Sequence, residues 1–582
     1  ITGQMYRQFA LVIAATALIS AINAVTLKPT QCALWLRQAD LTRRKNIFFR
    51  GFNAVYVRVE RIYLRVIGGM VRRSRVMVLL ALVLVVLGLW GLTKIPSGFI
   101  PAEDQGYLMA AVQTPDAASL GRIESAMDEI ARIGLKTPGV ERAIAIGTGG
   151  PSPLEGDVSL ANAGIVYLML KSWEDRGRGQ NLQHIYQNLS SELAHMQGAR
   201  TRLLVPPPIQ GLGAANGFQM QVELTDGSYD FGRLQQVTDR IVRNVNATPE
   251  IEDAFTAFRA NVPQLSLTVN RAQAATLNVD VGDVYNMLQS SLGSTYVNLF
   301  TRFGHNYMVF VQADPLHRLD AEGIKQLFVR SQSGDMVPIG AFTDIKPSQG
   351  PTVVSLYNLF PSAAINGAPS AKSSSSQAMA AMESAARKAL TPGMNFEWTA
   401  LAYQQNLVGS SAYLIFALAI LLVYFALAGQ YESWITPVAV ILAVPLALLG
   451  TVAALLSLGL ANNIYVQIGL VLLIALSAKN AILIVEMARE GRNAGKDIID
   501  AVVHASKVRF RPIMMTSFTF ILGVLPLVLA SGAGAAARRS LGIAVASGML
   551  TSTCLAVLFV PAFFVVLQRW IERKKVAPLK TE

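Results

Sequence analysis

Residues 464–485, IYVQIGLVLLIALSAKNAILIV, decide how this chain reads. At about 1.5 Å of rise per residue the stretch is long enough to cross a bilayer as a helix. Lys479 lies inside it, with only apolar or small residues at 468–478 and again at 481–485. A charge at that depth costs about 2.5–3.5 kcal/mol on insertion scales, so an intramembrane lysine marks an ion pathway and calls for a counter-charge. Snorkelling to the interface is disfavoured by the apolar residues on both sides. The partner should be a carboxylate, yet no apolar segment carries a mid-membrane Asp or Glu. Glu486, at the end of the stretch, is a poor direct partner.

Working outward, apolar runs at 9–27, 77–92, 412–427, 436–460, 464–487, 512–529 and 541–567 read as seven transmembrane helices. A chain of 582 residues that is 52% apolar and 15% charged fits the membrane class. The net charge of +13 gathers at 28–75, 489–511 and 569–580. The positive-inside rule puts all three clusters in the cytoplasm. The basic balance is therefore topological and implies no nucleic acid. Residues 96–409 then fall outside, with five spans and a cytoplasmic tail to follow. An odd count starting outside, a first residue Ile1 and no signal-peptide shape suit the back part of a larger protein.

The external insert is long enough for two or three domains. It repeats one pattern: an amphipathic helical stretch, Thr-Pro, then a strand. The instances are 120–136 before VERAIAI, 231–247 before IEDAFTAF and 377–390 before MNFEWTA. Proline stops each helix. With GYLMAAVQT, GIVYLML, FQMQVEL and QLSLTV as further strands, βαβ-type α+β subdomains are expected. The Pro/Gly-rich tract 205–217 is a natural boundary, and 370–376 a loop opening the third helix.

Other chemistries find no support. Cys32 and Cys554 have no CxxC spacing. The five His residues are scattered, so no metal site is expected. No GxxxxGK[ST], HExxH or GxSxG motif points to an enzyme. A second element does accompany Lys479-Asn480. Arg509 and Thr516 are two helical turns apart, so a guanidinium and a hydroxyl share one face. Arg511 reads as a positive-inside anchor.

LSAKNAILIVEMARE (476–490), RFRPIMMTSFTFILGVLPLVLASGAG (509–534), QYESW (430–434), IPSGFIPAEDQG (95–106) and FVPAFFVV (559–566) resemble the C-terminal half of resistance–nodulation–division (RND) multidrug efflux transporters. The likeness is to the hydrophobe/amphiphile branch, the AcrB-like inner-membrane pumps, and runs over essentially the whole chain. It implies a multi-spanning α-helical membrane protein of twelve spans, seven of them here, with a large periplasmic α+β insert. Span six would be 1–27, a cytoplasmic connector 28–76 and span seven 77–95. The first porter subdomain would be 96–213 and the second 214–262 plus 352–408, with a docking subdomain at 263–351. Spans eight to twelve would occupy 409–568 and a cytoplasmic tail 569–582. Lys479, Asn480, Arg509 and Thr516 would form a proton relay whose aspartates lie on the fourth span, outside these residues. The coupling ion would be the proton, with no cofactor.

The same resemblance implies efflux of amphiphilic small molecules, driven by the proton motive force, from a Gram-negative inner membrane. The partners would be the lipid bilayer, a homotrimer or closely related heterotrimer, a periplasmic adaptor and an outer-membrane channel. The chain departs from the family at the drug pocket. Its 144–163 stretch has no Phe, Tyr or Trp. Ile144 and Tyr167 stand where pocket phenylalanines are common, as pocket lining or as plain strand core. Arg202, Leu204 and Pro206 replace apolar or aromatic lining of the cleft through which drug enters. Such a pocket would be less aromatic and more polar than the type case. Alternatives are an RND metal-ion pump, a lipid or protein exporter built on related spans, and a receptor with an α+β ectodomain. Only the transporter readings account for Lys479.

Overall fold

The computed structural model describes residues 2–35, 47–116, 118–147, 160, 162–213, 215–370, 373–408 and 411–576. Most of the aromatic-free stretch 144–163, the basic residues at 37–45 and the end of the tail lie outside these. In hydrocarbon every backbone N–H and C=O must be paired within its own segment, so the apolar runs fold as helices. The first is α1 (Thr2–Val25), continued by α2 (Leu27–Trp35). Then come α3 (Ile47–Arg72) and α4 (Ser74–Lys94).

The chain next builds β1 (Tyr107–Gln113), α5 (Leu120–Lys136), β2 (Val140–Ile146), β3 (Ala163–Leu170), α6 (Leu182–Leu193) and β4 (Arg200–Leu204). The strand order is β2-β3-β1-β4 with every neighbouring pair antiparallel. β1 and β2 are thus parallel with β3 between them, a split βαβ unit. Gly139, after the Thr-Pro that ends α5, has φ +102 and leaves no room for a Cβ, which would meet Ile185 Cδ1 at 2.6 Å.

The unit recurs in β5 (Phe218–Leu224), α7 (Phe231–Asn246) and β6 (Ile251–Phe255). It is interrupted by β7 (Val262–Val269), α8 (Arg271–Thr276), α9 (Val281–Leu288), β8 (Thr295–Arg302), β9 (His305–Val311), α10 (Ala321–Lys325), β10 (Phe328–Arg330), β11 (Met336–Pro338) and β12 (Thr343–Gly350). These form two-stranded ladders, β7 with β12, β8 with β9 and β10 with β11, over a core around Val284, Ile339 and Phe342. The sheet resumes with β13 (Ser355–Tyr357), β14 (Phe360–Pro369), α11 (Ser375–Ala389) and β15 (Met394–Thr399). Its order is β13-β14-β5-β15, with β6 on the far half of β14.

The rest is helical: α12 (Ala400–Val408), α13 (Ser411–Tyr431), α14 (Thr436–Ile441), α15 (Val444–Leu458), α16 (Ile464–Asn493), α17 (Ile498–Val528) and α18 (Ala535–Val576). Among the described residues seven helical segments are long and apolar enough to cross a membrane. Two differ from the expected 436–460 and 512–529. The former breaks between α14 and α15, where Pro445 lacks the N–H to continue the ladder. The latter is the second half of α17, whose Asp497 cap accepts from Ile499 N, and Pro512 lies inside the helix rather than starting it. α15, α16 and α17 pack on α18. Small residues set the approach: a Cβ on Gly450 would lie 2.5 Å from Ser547 O.

The sheets join the bundle through 96–103. Asn462 N donates to Pro96 O at 2.9 Å and Ile464 N to Phe99 O at 3.0 Å. Glu103, 7% exposed, accepts from Ala536 N at 3.1 Å and Ala537 N at 2.7 Å, which caps α18. Arg176, pairing with Asp104, braces the first sheet above this joint.

One buried acid stands out on β5. Glu223 is 1% exposed and its Oε1 has no partner. Burial, then the neighbouring Glu397, pushes its carboxyl up to about 7. The folded state therefore favours the neutral form. Stability is full below the ordinary value of 4.5 and falls as pH rises from there through about 7. Glu223→Gln should match the wild type at pH 4 and exceed it at pH 8 by on the order of 1–3 kcal/mol. Thermal unfolding at both pH values checks this, and an equal difference at the two would refute it.

Candidate functional site

Where α16 meets α17 it carries small and polar residues. Ser477, Asn480 and Ala481 are buried. The Ser477 hydroxyl donates back to Leu473 O at 2.7 Å. Asn480 Nδ2 donates across to Ser517 Oγ on α17 at 3.4 Å, while its buried Oδ1 has no partner. Thr516, beside Ser517, lies on the outer face and returns its hydroxyl to Ile513 O at 3.0 Å. Arg509 is half-buried with an unpartnered Nε.

Within this chain Lys479 is exposed on the outer face of α16. The inner face is taken by α17 and α18, and position 479 is about 100° around the helix from Asn480. Among the described residues it has no ion pair. Glu486 is half-buried, has an unpartnered Oε2 and does not pair with it. Of the four relay candidates, only Asn480 is joined by a hydrogen bond to another helix among the described residues, through Ser517. Sequence reasoning passed over that serine for the adjacent threonine.

The four pocket candidates lie on one surface. Register aligns Ile144, Tyr167, Met109 and Leu204 in a single row across β2, β3, β1 and β4. Ile146, Ile165, Ala111 and Arg202 form the next row. This is the face away from the helices, whose core holds Leu108, Ala110, Val166 and Leu168. Ile144 is 50% exposed and Tyr167 half-buried, so neither belongs to that core. Met109, mid-row, was not anticipated, because its place depends on strand register alone.

Arg202 reaches the second sheet. It pairs with Asp253 on β6, and its guanidinium sits 4.7 Å over the Phe255 ring. Burial and then Arg200 lower its pKa, while Tyr186 acts the other way. The Tyr186 hydroxyl is pushed up to about 12 by burial and then by Glu252. A second bridge joins Arg259 to Asp116 at 3.0 Å. The cavity beside the pair, lined by Tyr186, Leu204, Phe218, Asp253 and Phe255, has about 50 Å³. Drug-sized ligands occupy pockets of about 300–1,000 Å³, so the cleft is closed here.

Residues 1–568 match the family described as the AcrB/AcrD/AcrF family. The chain belongs to that family. The toluene efflux pump membrane transporter TtgB of Pseudomonas putida is 34% identical over 568 residues, covering 97% of this chain and 54% of its own length. The multidrug export protein AcrF of Escherichia coli (strain K12) is 35% identical over 577 residues, covering 98% and 55%. The multidrug resistance protein MdtF of the same strain is 34% identical over 584 residues, covering 99% and 55%. The chain spans about half the length of the curated relatives it matches. Membership in the AcrB/AcrD/AcrF family makes this an RND efflux-family chain, with the RND fold of membrane spans and a sheet-rich region.

Two double-mutant cycles, read by thermal unfolding, test these contacts. Arg202→Ala with Asp253→Ala should show coupling of about 0.5–1 kcal/mol, as for a part-exposed pair. Asn480→Ala with Ser517→Ala should show about 0.6 kcal/mol, typical of hydrogen bonds between membrane helices. Additive single effects would mean that neither contact holds its elements together.

Proposed function

We propose that this chain works within a proton-motive-force-driven exporter of amphiphilic compounds. It would sit in a Gram-negative inner membrane with residues 96–408 on the periplasmic side. The observation that carries the reading is Lys479, an ammonium inside an apolar span, on a helix face open to a further helix. Carboxylates elsewhere in the protein would pair with it. A proton that neutralises one of them loosens the pair, and α16 re-packs against its neighbours. Asn480 and Ser517 would carry that shift to α17, which also bears Arg509 and Thr516. The proton is the coupling ion, and no cofactor is invoked.

Movement of α16 reaches the sheets through Ile464 and Phe99, and movement of α18 through Glu103. The expected consequence is opening of the cleft at Arg202 and Asp253, with Ile144, Tyr167 and Leu204 on the adjoining sheet face. Assembly as a homotrimer or closely related heterotrimer, with a periplasmic adaptor and an outer-membrane channel, belongs to the same reading. The test is efflux of a lipophilic dye from cells making the full-length protein. Lys479→Ala should cut export at least about tenfold at unchanged membrane abundance, the size expected for an essential charge. Wild-type efflux in that variant would sink the proposal.

A further inference from the structure

Helix α3 has three distinct faces. The first is packed: Tyr63, Ile67 and Val71 are buried, the Tyr63 ring stacks on Phe510 at 4.4 Å, and its hydroxyl donates to Val557 O at 3.1 Å. The second is an apolar stripe of Phe52, Val55, Val59, Ile62 and Val66, between 43% and 62% exposed. The third is a row of exposed arginines, Arg58, Arg61, Arg65 and Arg72. Among the described residues no carboxylate pairs with any of the four. At 3.6 residues per turn the stripe stands roughly 100° from the packed face, and the arginines roughly 110° further round.

A helix packed sideways on a bundle in water would have no use for a second apolar stripe. The helix ends at Arg72 and a membrane span begins at Ser74, so α3 is pinned where hydrocarbon meets water. There, three faces have three natural neighbours: the bundle, the acyl chains and the headgroups. Arg511, with its guanidinium 5.6 Å from the Tyr56 ring, extends the basic rim at the same end. We infer that α3 is a binding element for anionic phospholipid. Its stripe enters the acyl boundary, and Arg58, Arg61 and Arg65 hold lipid phosphates by charge-assisted hydrogen bonds. An acidic protein would satisfy the arginines and leave the parallel apolar stripe in water.

The full-length protein, purified and delipidated in detergent, tests this through thermal stabilisation by phosphatidylglycerol or phosphatidylcholine. Phosphatidylglycerol should stabilise it and phosphatidylcholine should not. Neutralising Arg58→Gln, Arg61→Gln and Arg65→Gln together should weaken the phosphatidylglycerol response, by about fivefold in affinity per arginine at low salt. The matching Lys substitutions should keep most of it. High salt should weaken the wild-type response, a readout that needs no variant to fold. A photoactivatable phosphatidylglycerol should label the peptide containing 52–66 above other peptides. The inference is overturned by equal stabilisation from phosphatidylcholine, from inorganic phosphate or from polyglutamate. An undiminished response in the Gln variant, or labelling spread evenly over the spans, overturns it too.

Discussion

A carboxylate on a helix end holds the two halves of this molecule together. Glu103, on the segment that follows α4, reaches α18 and accepts two of its first backbone amides. Those amides have no partner inside their own helix, and the dipole favours negative charge there. The 42-residue α18 is in turn the helix on which α15, α16 and α17 pack. The sheets are therefore tied to the centre of the bundle, not to its rim. The neighbouring backbone bonds from Pro96 and Phe99 to the start of α16 make the same joint stiff.

Charge inside the bundle follows a strict economy. Asn480, Ser477 and Ser517 fill the buried helix contact with neutral polar groups, which cost little when they bond one another or their own backbone. The formal charge, Lys479, is turned out of that contact. A neutral interior keeps the helices packed, while the ammonium is free to meet a partner on another face. At the basic end, charge pairs where water can reach: Arg492 holds Glu572 through two bonds of 2.8 and 3.0 Å.

The sheet-rich region solves a different problem. Each split βαβ unit buries one sheet face under two helices. In the first unit the opposite face carries Ile144, Tyr167, Met109 and Leu204 in one row. Arg202 then closes the gap to the second unit through Asp253 and Phe255. A part-exposed ion pair is weak enough to break on demand. An apolar seam of Ala111, Leu160, Phe255 and Ala257 lies between the same two units.

Much was legible in the residues themselves. Apolar length alone marks the spans, because hydrocarbon admits only internally bonded backbone. Thr-Pro after an amphipathic stretch marks the helix–strand units, because proline cannot continue the ladder. Lys479 stood out because its neighbours are apolar over more than two turns. The remainder depends on atoms far apart in sequence. Whether Lys479 points in or out is decided by which face α17 and α18 occupy, and periodicity does not say. Ser517 rather than Thr516 meets Asn480 because of helix rotation, and Met109 joins the row of Ile144, Tyr167 and Leu204 because of strand register. The Arg202–Asp253 bridge and the Glu103 cap join residues that only the folded chain brings within hydrogen-bond reach, where short-range forces act.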